Sequence, residues 1–219
     1  MPENLIVMRA VQVLLPLVLA PSLLVAQSRW FASLQGGYSV STETPVSFPG
    51  GGAFASNAFI ARQVTPSIAV GIEGGFYGVE NATTTGTTNC PELPAVCEQT
   101  VRSEVDWTQV GVTARASTTS GSWRPYGALG LAVYFGSSDT ETTFTPVGGE
   151  PGLPLDQSLK STAFGGSVGG GVEWLPRPDN GPWSLGLSAR LHALIGGDEN
   201  GEFAGDYFVT VMAGVGYRW

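Results

Sequence analysis

With 219 residues, 42% of them hydrophobic, the chain can build one domain of ordinary size. Charged residues reach only 13%, against roughly 25% in soluble domains, and the 31 glycines follow no G-X-Y period, which excludes collagen. Ten Lys and Arg against 18 Asp and Glu leave a net charge of −8, without the basic footprint that a nucleic-acid partner demands. Low charge, high glycine and abundant aromatics, without Lys- and Glu-rich helical stretches, argue against a helical cytosolic enzyme. They favour β-structure facing an apolar solvent.

Arg9 precedes Ala10 to Leu24, a stretch apolar except for Gln12 and Ser22 and broken by Pro16 and Pro21. Val25-Ala26-Gln27 follows. A positive n-region, a short apolar h-region and a small residue at the cut site predict a secretory signal peptide cleaved after Ala26. Leu24 at the −3 position is bulkier than usual, and a start at Met8 would give a more ordinary n-region than Met1. A membrane helix needs about 20 apolar residues and tolerates two prolines badly. The expected division is therefore a signal peptide at 1–26 and one exported domain at 27–219. In an oxidising compartment Cys90 and Cys97, with Pro91 and Pro94 between them, predict a local disulfide. A metal pair would lack further ligands, because the single histidine is the distant His192.

Downstream, alternate residues separate into two faces, the mark of strands. Trp30, Ala32, Leu34, Gly36, Tyr38 and Val40 oppose Ser33, Gln35, Gly37 and Ser39. A weaker strand is expected at about Ala55 to Gln63. Ile68, Val70, Ile72 and Phe76 then oppose Glu73, Gly75 and Tyr77, and Val110, Val112 and Ala114 oppose Gln109, Thr113 and Arg115. Leu129, Leu131, Val133 and Phe135 oppose Gly130 and Tyr134; Phe164, Val168, Val172 and Trp174 oppose Ser167 and Glu173. Leu185, Leu187 and Leu191 oppose Ser188, Arg190 and His192, and the last run sets Val209, Val211, Val215, Tyr217 and Trp219 against Thr210, Gly214 and Arg218. The fold class is all-β, with eight antiparallel strands.

Connections alternate in length. Short ones fall near Thr65-Pro66, Thr118 to Ser122 and Pro176 to Pro182. Long ones fall at Thr42 to Gly52, Glu80 to Ser103, Gly136 to Lys160 and Gly196 to Gly205. Short turns at one end and long loops at the other predict an up-and-down transmembrane barrel, with both chain ends on the short-turn, periplasmic side. A soluble barrel would turn its apolar face inward. Here the polar face is built of Gly, Ser and Ala with one or two charges per strand, suited to a narrow interior. With the apolar face outward, Trp30, Trp123, Trp174, Trp183 and Trp219 form a girdle at the short-turn end, and Phe76, Phe135, Phe164 and Tyr207 lie toward the other.

The run from Tyr207 to Trp219 resembles the terminal strand of bacterial outer-membrane proteins, ending on an aromatic residue. Arg124-Pro-Tyr-Gly-Ala-Leu-Gly-Leu131 is similar to a strand of the small barrels of the OmpA, OmpX and OmpW type. The resemblance implies a Gram-negative-type cell outer membrane, contact with outer-membrane lipid and lipopolysaccharide, and insertion by the barrel assembly machinery with Tyr217 and Trp219 as its signal. With Trp219 the last residue, no peptidoglycan-anchoring domain of the kind in full-length OmpA is expected after the barrel. Some barrels of this size are lipid A-modifying enzymes, and a deacylase among them uses a His/Ser pair two residues apart; here Ala193 and Leu194 follow His192. HExxH and P-loop patterns are also missing. No catalytic residue, cofactor or metal is expected.

Glu73, Arg115, Glu173 and Arg190 share the inward parity, two of each sign. Counted from the short turns, Glu73 and Arg190 lie at mid-height and Arg115 and Glu173 near the periplasmic end, so ion pairs across the lumen are expected. Tyr77, Trp107, Tyr134, His192 and Phe208 face inward at the lumen mouth, either as packing or as a shallow pocket for an apolar ligand. The long loops carry Glu80, Glu92, Glu98, Asp139, Glu141, Glu150, Asp156, Asp198, Glu199 and Glu202. The expected function is a structural or surface-interaction role with long acidic loops and a filled lumen. The alternative is a narrow, porin-like transporter or channel for small or apolar solutes.

Overall fold

A computed structural model describes residues 29–41, 52–90, 96–147, 149, 152, 154–177, 181–195 and 207–219. Eight strands follow in chain order: β1 (Trp30–Ser41), β2 (Gly52–Gln63), β3 (Ile68–Asn89), β4 (Val96–Ser117), β5 (Trp123–Pro146), β6 (Leu155–Trp174), β7 (Trp183–Ile195) and β8 (Tyr207–Arg218). Each pairs antiparallel with the next, and β1 pairs with β8 to close the barrel. At the seam the Trp30 and Trp219 backbones exchange hydrogen bonds of 2.9 and 3.1 Å. The barrel therefore has no free edge at this level. The signal-peptide expectation falls outside the described residues.

The outward face is the apolar one. Leu131 is 76% exposed, Phe164 70% and Ile72 67%, whereas the inward Tyr77, Glu73 and His192 are fully buried. A soluble protein with such a belt would aggregate; lipid is the solvent that fits it. The five tryptophans named above stand at the short-turn end, in contacts such as Trp30 stacked on Trp219 (6.5 Å between centroids) and Trp183 edge-on to Tyr217 (4.8 Å). The 118–122 turn is tight because Gly121 takes φ 85°, a conformation that other residues rarely adopt.

Two expectations need correcting. The second strand begins at Gly52 rather than Ala55, with Gln35 opposite Asn57 and Leu34 opposite Ala58. More consequentially, most of the expected loops Glu80 to Ser103 and Gly136 to Lys160 are paired strand. β3 to β6 run 20 to 24 residues, against 12 or 13 for the other four. Registers such as Thr85 with Thr100 and Thr140 with Gln157 continue far beyond the apolar belt. These runs are rich in β-branched threonine, which favours strands, but with water on both faces they need no apolar alternation. A β-bulge between Gly78 and Glu80 marks where β3 leaves the belt. Glu98, Asp139, Glu141 and Asp156 consequently sit on strands, while Glu92, Glu150, Asp198, Glu199 and Glu202 lie outside the described residues.

Inward glycines make room for rings. A Cβ on Gly136 would lie 2.6 Å from the Trp107 ring, and one on Gly216 2.7 Å from Phe31, whereas one on Gly86, in the protruding part of β3, would meet nothing within 4 Å. Gly136→Val should therefore lower unfolding stability by about 1–3 kcal/mol through overpacking, and Gly86→Ala should shift it by less than about 0.5 kcal/mol. Urea titration of the folded barrel, followed by heat-modifiable gel mobility, measures both.

Candidate functional site

Eight strands enclose an interior just wide enough for side chains, and three layers fill it here. At mid-height Glu73 of β3 accepts hydrogen bonds from Arg190 Nη1 of β7 at 2.5 and 2.6 Å, Asn57 Nδ2 of β2 at 2.8 Å and Gln109 Nε2 of β4 at 2.8 Å. One carboxylate thus ties four strands together. Next to it, Ser188 Oγ donates to Gln35 Oε1 at 3.1 Å. A carboxylate with so many donors keeps its charge without water.

The layer near the short turns is organised around Glu173, which pairs with Arg115 at 2.8 Å and also with Arg218. Aromatic faces hold the guanidiniums in place. The Arg115 guanidinium carbon lies 3.5 Å from the Tyr126 ring centre and 5.1 Å from that of Phe31, and Arg218 lies 5.1 Å from Phe31.

The layer toward the long hairpins is aromatic. His192 stacks on Phe208 (4.4 Å, 3° between planes), Tyr77 lies 4.9 Å from His192, and Trp107 meets Tyr134 edge-on at 6.5 Å. Tyr134 Oη and His192 Nδ1 are 3.1 Å apart, and His192 Nε2 lies 3.3 Å from Thr210 Oγ1. All five residues are at most 1% exposed, so they are packed against one another rather than lining an open mouth. Beyond the apolar belt, Cys90 and Cys97 are joined by a disulfide at the tip of the β3–β4 hairpin. Tyr217 and Trp219 lie on the outward face at the barrel seam.

No protein-family model matches the sequence, and no curated protein matches it. Solved structures do. A major outer membrane protein from Thermus thermophilus aligns over 89% of this chain and 100% of its own at 11% identity, with a TM-score of 0.57. Neisserial surface protein A aligns over 89% of this chain and 98% of its own at 14% identity, with a TM-score of 0.51. The chain has the fold of the small outer-membrane β-barrel proteins. Ail of Yersinia pestis, solved with the heparin analogue sucrose octasulfate, is a more distant match at 15% identity, 89% of this chain and 100% of its own, with a TM-score of 0.46. A barrel of this fold with this outward belt resides in the cell outer membrane.

Sequence reasoning treated Arg218, Asn57 and Gln109 only as strand residues. Arg218 had the inward parity but sits next to the chain end, and Asn57 lies in the strand with the poorest alternation. Asn57 and Gln109 reach Glu73 from the two strands that flank it, whereas Arg218 reaches Glu173 across β7. Removing one member of the mid-lumen pair strands its partner, which costs about 3–5 kcal/mol for buried pairs. Glu73→Gln and Arg190→Met should each destabilise the barrel by that order. The double variant should lose less than their sum, and a double-mutant cycle in urea reads the coupling directly.

Proposed function

We propose that this outer-membrane barrel is a non-enzymatic surface protein whose extracellular hairpins carry the interaction, while its membrane-spanning part serves as a closed anchor. The observation that carries the reading is the unequal strand length. Strands of 12 residues, as in β1 and β8, suffice to span a bilayer. The roughly ten further residues in β3 to β6 extend a four-stranded sheet by about 30 Å, at about 3.3 Å per residue. Above the belt, β3 and β6 have no β2 or β7 partner among the described residues, which makes their upper parts edges of the described sheet.

Acid dominates the protruding sheet. Glu98, Glu104, Asp106, Asp139, Glu141 and Asp156 face only Arg102 and Lys160 among the described residues. Arg102 is held by Glu104 at 2.6 Å. Burial, followed by the nearby charges of Glu104 and Asp139, raises the Asp106 carboxyl above its ordinary value. A basic partner would relieve this crowding. The packed aromatic layer and the mid-lumen ion pair support this reading over the alternative of a narrow conduit.

Excising residues 82–103, whose ends are paired in the β3–β4 register, and closing the gap with an Asn-Gly turn should leave insertion and heat-modifiable mobility intact. Cells carrying this variant should lose surface adhesion while keeping normal resistance to bulky antibiotics. Unchanged adhesion with a leaky envelope would assign a structural role instead. In planar bilayers the wild-type barrel should conduct little and intermittently, and Glu73→Ala should raise conductance. Large, stable wild-type channels would promote the conduit.

A further inference from the structure

The periplasmic end holds a second site with chemistry opposite to that of the hairpins. A cavity of about 380 Å³ lies between the start of β1, the β2–β3 and β4–β5 turns and the end of β8. Arg29, Arg115, Arg124 and Arg218 line it, with no Asp or Glu among the described lining residues. Behind it, Glu173 bonds both Arg115 and Arg218. Among the described residues, four guanidiniums stand at this cavity against the single carboxylate of Glu173.

The guanidiniums are fixed before any ligand arrives. Arg115 and Arg218 stack against the Phe31 ring from the cavity floor, and Arg115 also lies over Tyr126. Stacked planar guanidiniums keep their N–H edges free to point sideways. Nη1 of Arg218 is buried and has no hydrogen-bond acceptor among the described residues. At the rim, Arg124 Nε donates to the Gly121 carbonyl at 3.3 Å, which anchors that side chain on the turn. Arg29 is exposed on the opposite rim.

We propose that this cavity binds a phosphate group, with Arg115 and Arg218 forming its floor and Arg29 and Arg124 its rim. A carboxylate offers one charge and two oxygens in a plane, which a single arginine saturates. Phosphate brings about −1.5 to −2 and three acceptor oxygens, matching a charge surplus above one and donors that converge from several strands. The cavity opens at the interfacial level of Trp30, one of its lining residues. Both phospholipid headgroups of the inner leaflet and soluble periplasmic phosphates reach that level. The inference does not depend on what the extracellular hairpins bind.

Titrating pyrophosphate into the folded full-length mature barrel tests it, by calorimetry at constant ionic strength in phosphate-free glycolipid vesicles. Saturable binding is expected, weakened at least about tenfold by the double variant Arg29→Gln/Arg124→Gln, since hydrogen bonds to charged groups are worth about that much each. Arg62→Gln is the control, removing an exposed charge at the same end but outside the cavity lining; it should change affinity less than about twofold. Arg115 and Arg218 are left intact because they hold Glu173. Repeating the titration in phosphatidylglycerol vesicles separates the sources. Retained affinity assigns a soluble phosphate, and affinity abolished by that lipid assigns its headgroup. Absence of saturable binding in glycolipid, or equal weakening by Arg62→Gln and the double variant, would overturn the proposal.

Discussion

Inside a bilayer no water can satisfy a backbone N–H or C=O, so a strand that enters lipid must have a neighbour on both sides. The β1–β8 seam meets that demand, and the rest of the structure follows from it. Closing the sheet at eight strands fixes a narrow interior, which in turn decides what can point inward. Several large rings fit because a neighbouring inward position is glycine, as Trp107 does over Gly136 and Phe31 over Gly216. Charges fit only with partners in reach, as with Glu73 and Arg190 or Glu173 and its two arginines.

The two lumen carboxylates act as cross-braces. Glu73 draws donors from β2, β4 and β7 onto one point from its own position on β3. Glu173 on β6 does the same for β4 and β8. A well-packed apolar lumen could be equally stable, since desolvation offsets most of what a buried ion pair contributes. What the polar layers add is an exacting geometry: sliding one strand past its neighbour would leave a charge without its partner. Strand pairing fixes register locally, and these braces check it across the barrel.

Filling the middle moves chemistry to the two ends, and the charges are sorted between them. Acids crowd the protruding β3–β6 sheet, while Arg29, Arg62, Arg115, Arg124, Arg177 and Arg218 gather at the short-turn end. The net charge of −8 hides this separation. The acidic sheet and the arginine-lined cavity therefore lie at opposite ends of the barrel, with the packed lumen layers between them.

Strand existence, the lipid-facing side and the tryptophan girdle were legible in the sequence because each is set by contact with solvent. A residue facing lipid must be apolar whatever lies beside it, so alternation at Trp30 to Val40 or Leu185 to Leu191 carries the answer locally. Parity and counted height also put Glu73 level with Arg190, which the structure places 2.5 Å apart. Where both faces meet water the signal vanishes, and the threonine-rich extensions of β3 to β6 read as loops although they are paired strands. The weak β2 hid Asn57, a donor to Glu73. Only the closed barrel brings Arg29, Arg115, Arg124 and Arg218 around one cavity, because they come from four separate places along the chain. Local sequence decides which way a side chain faces; which side chains meet is settled by closure and register.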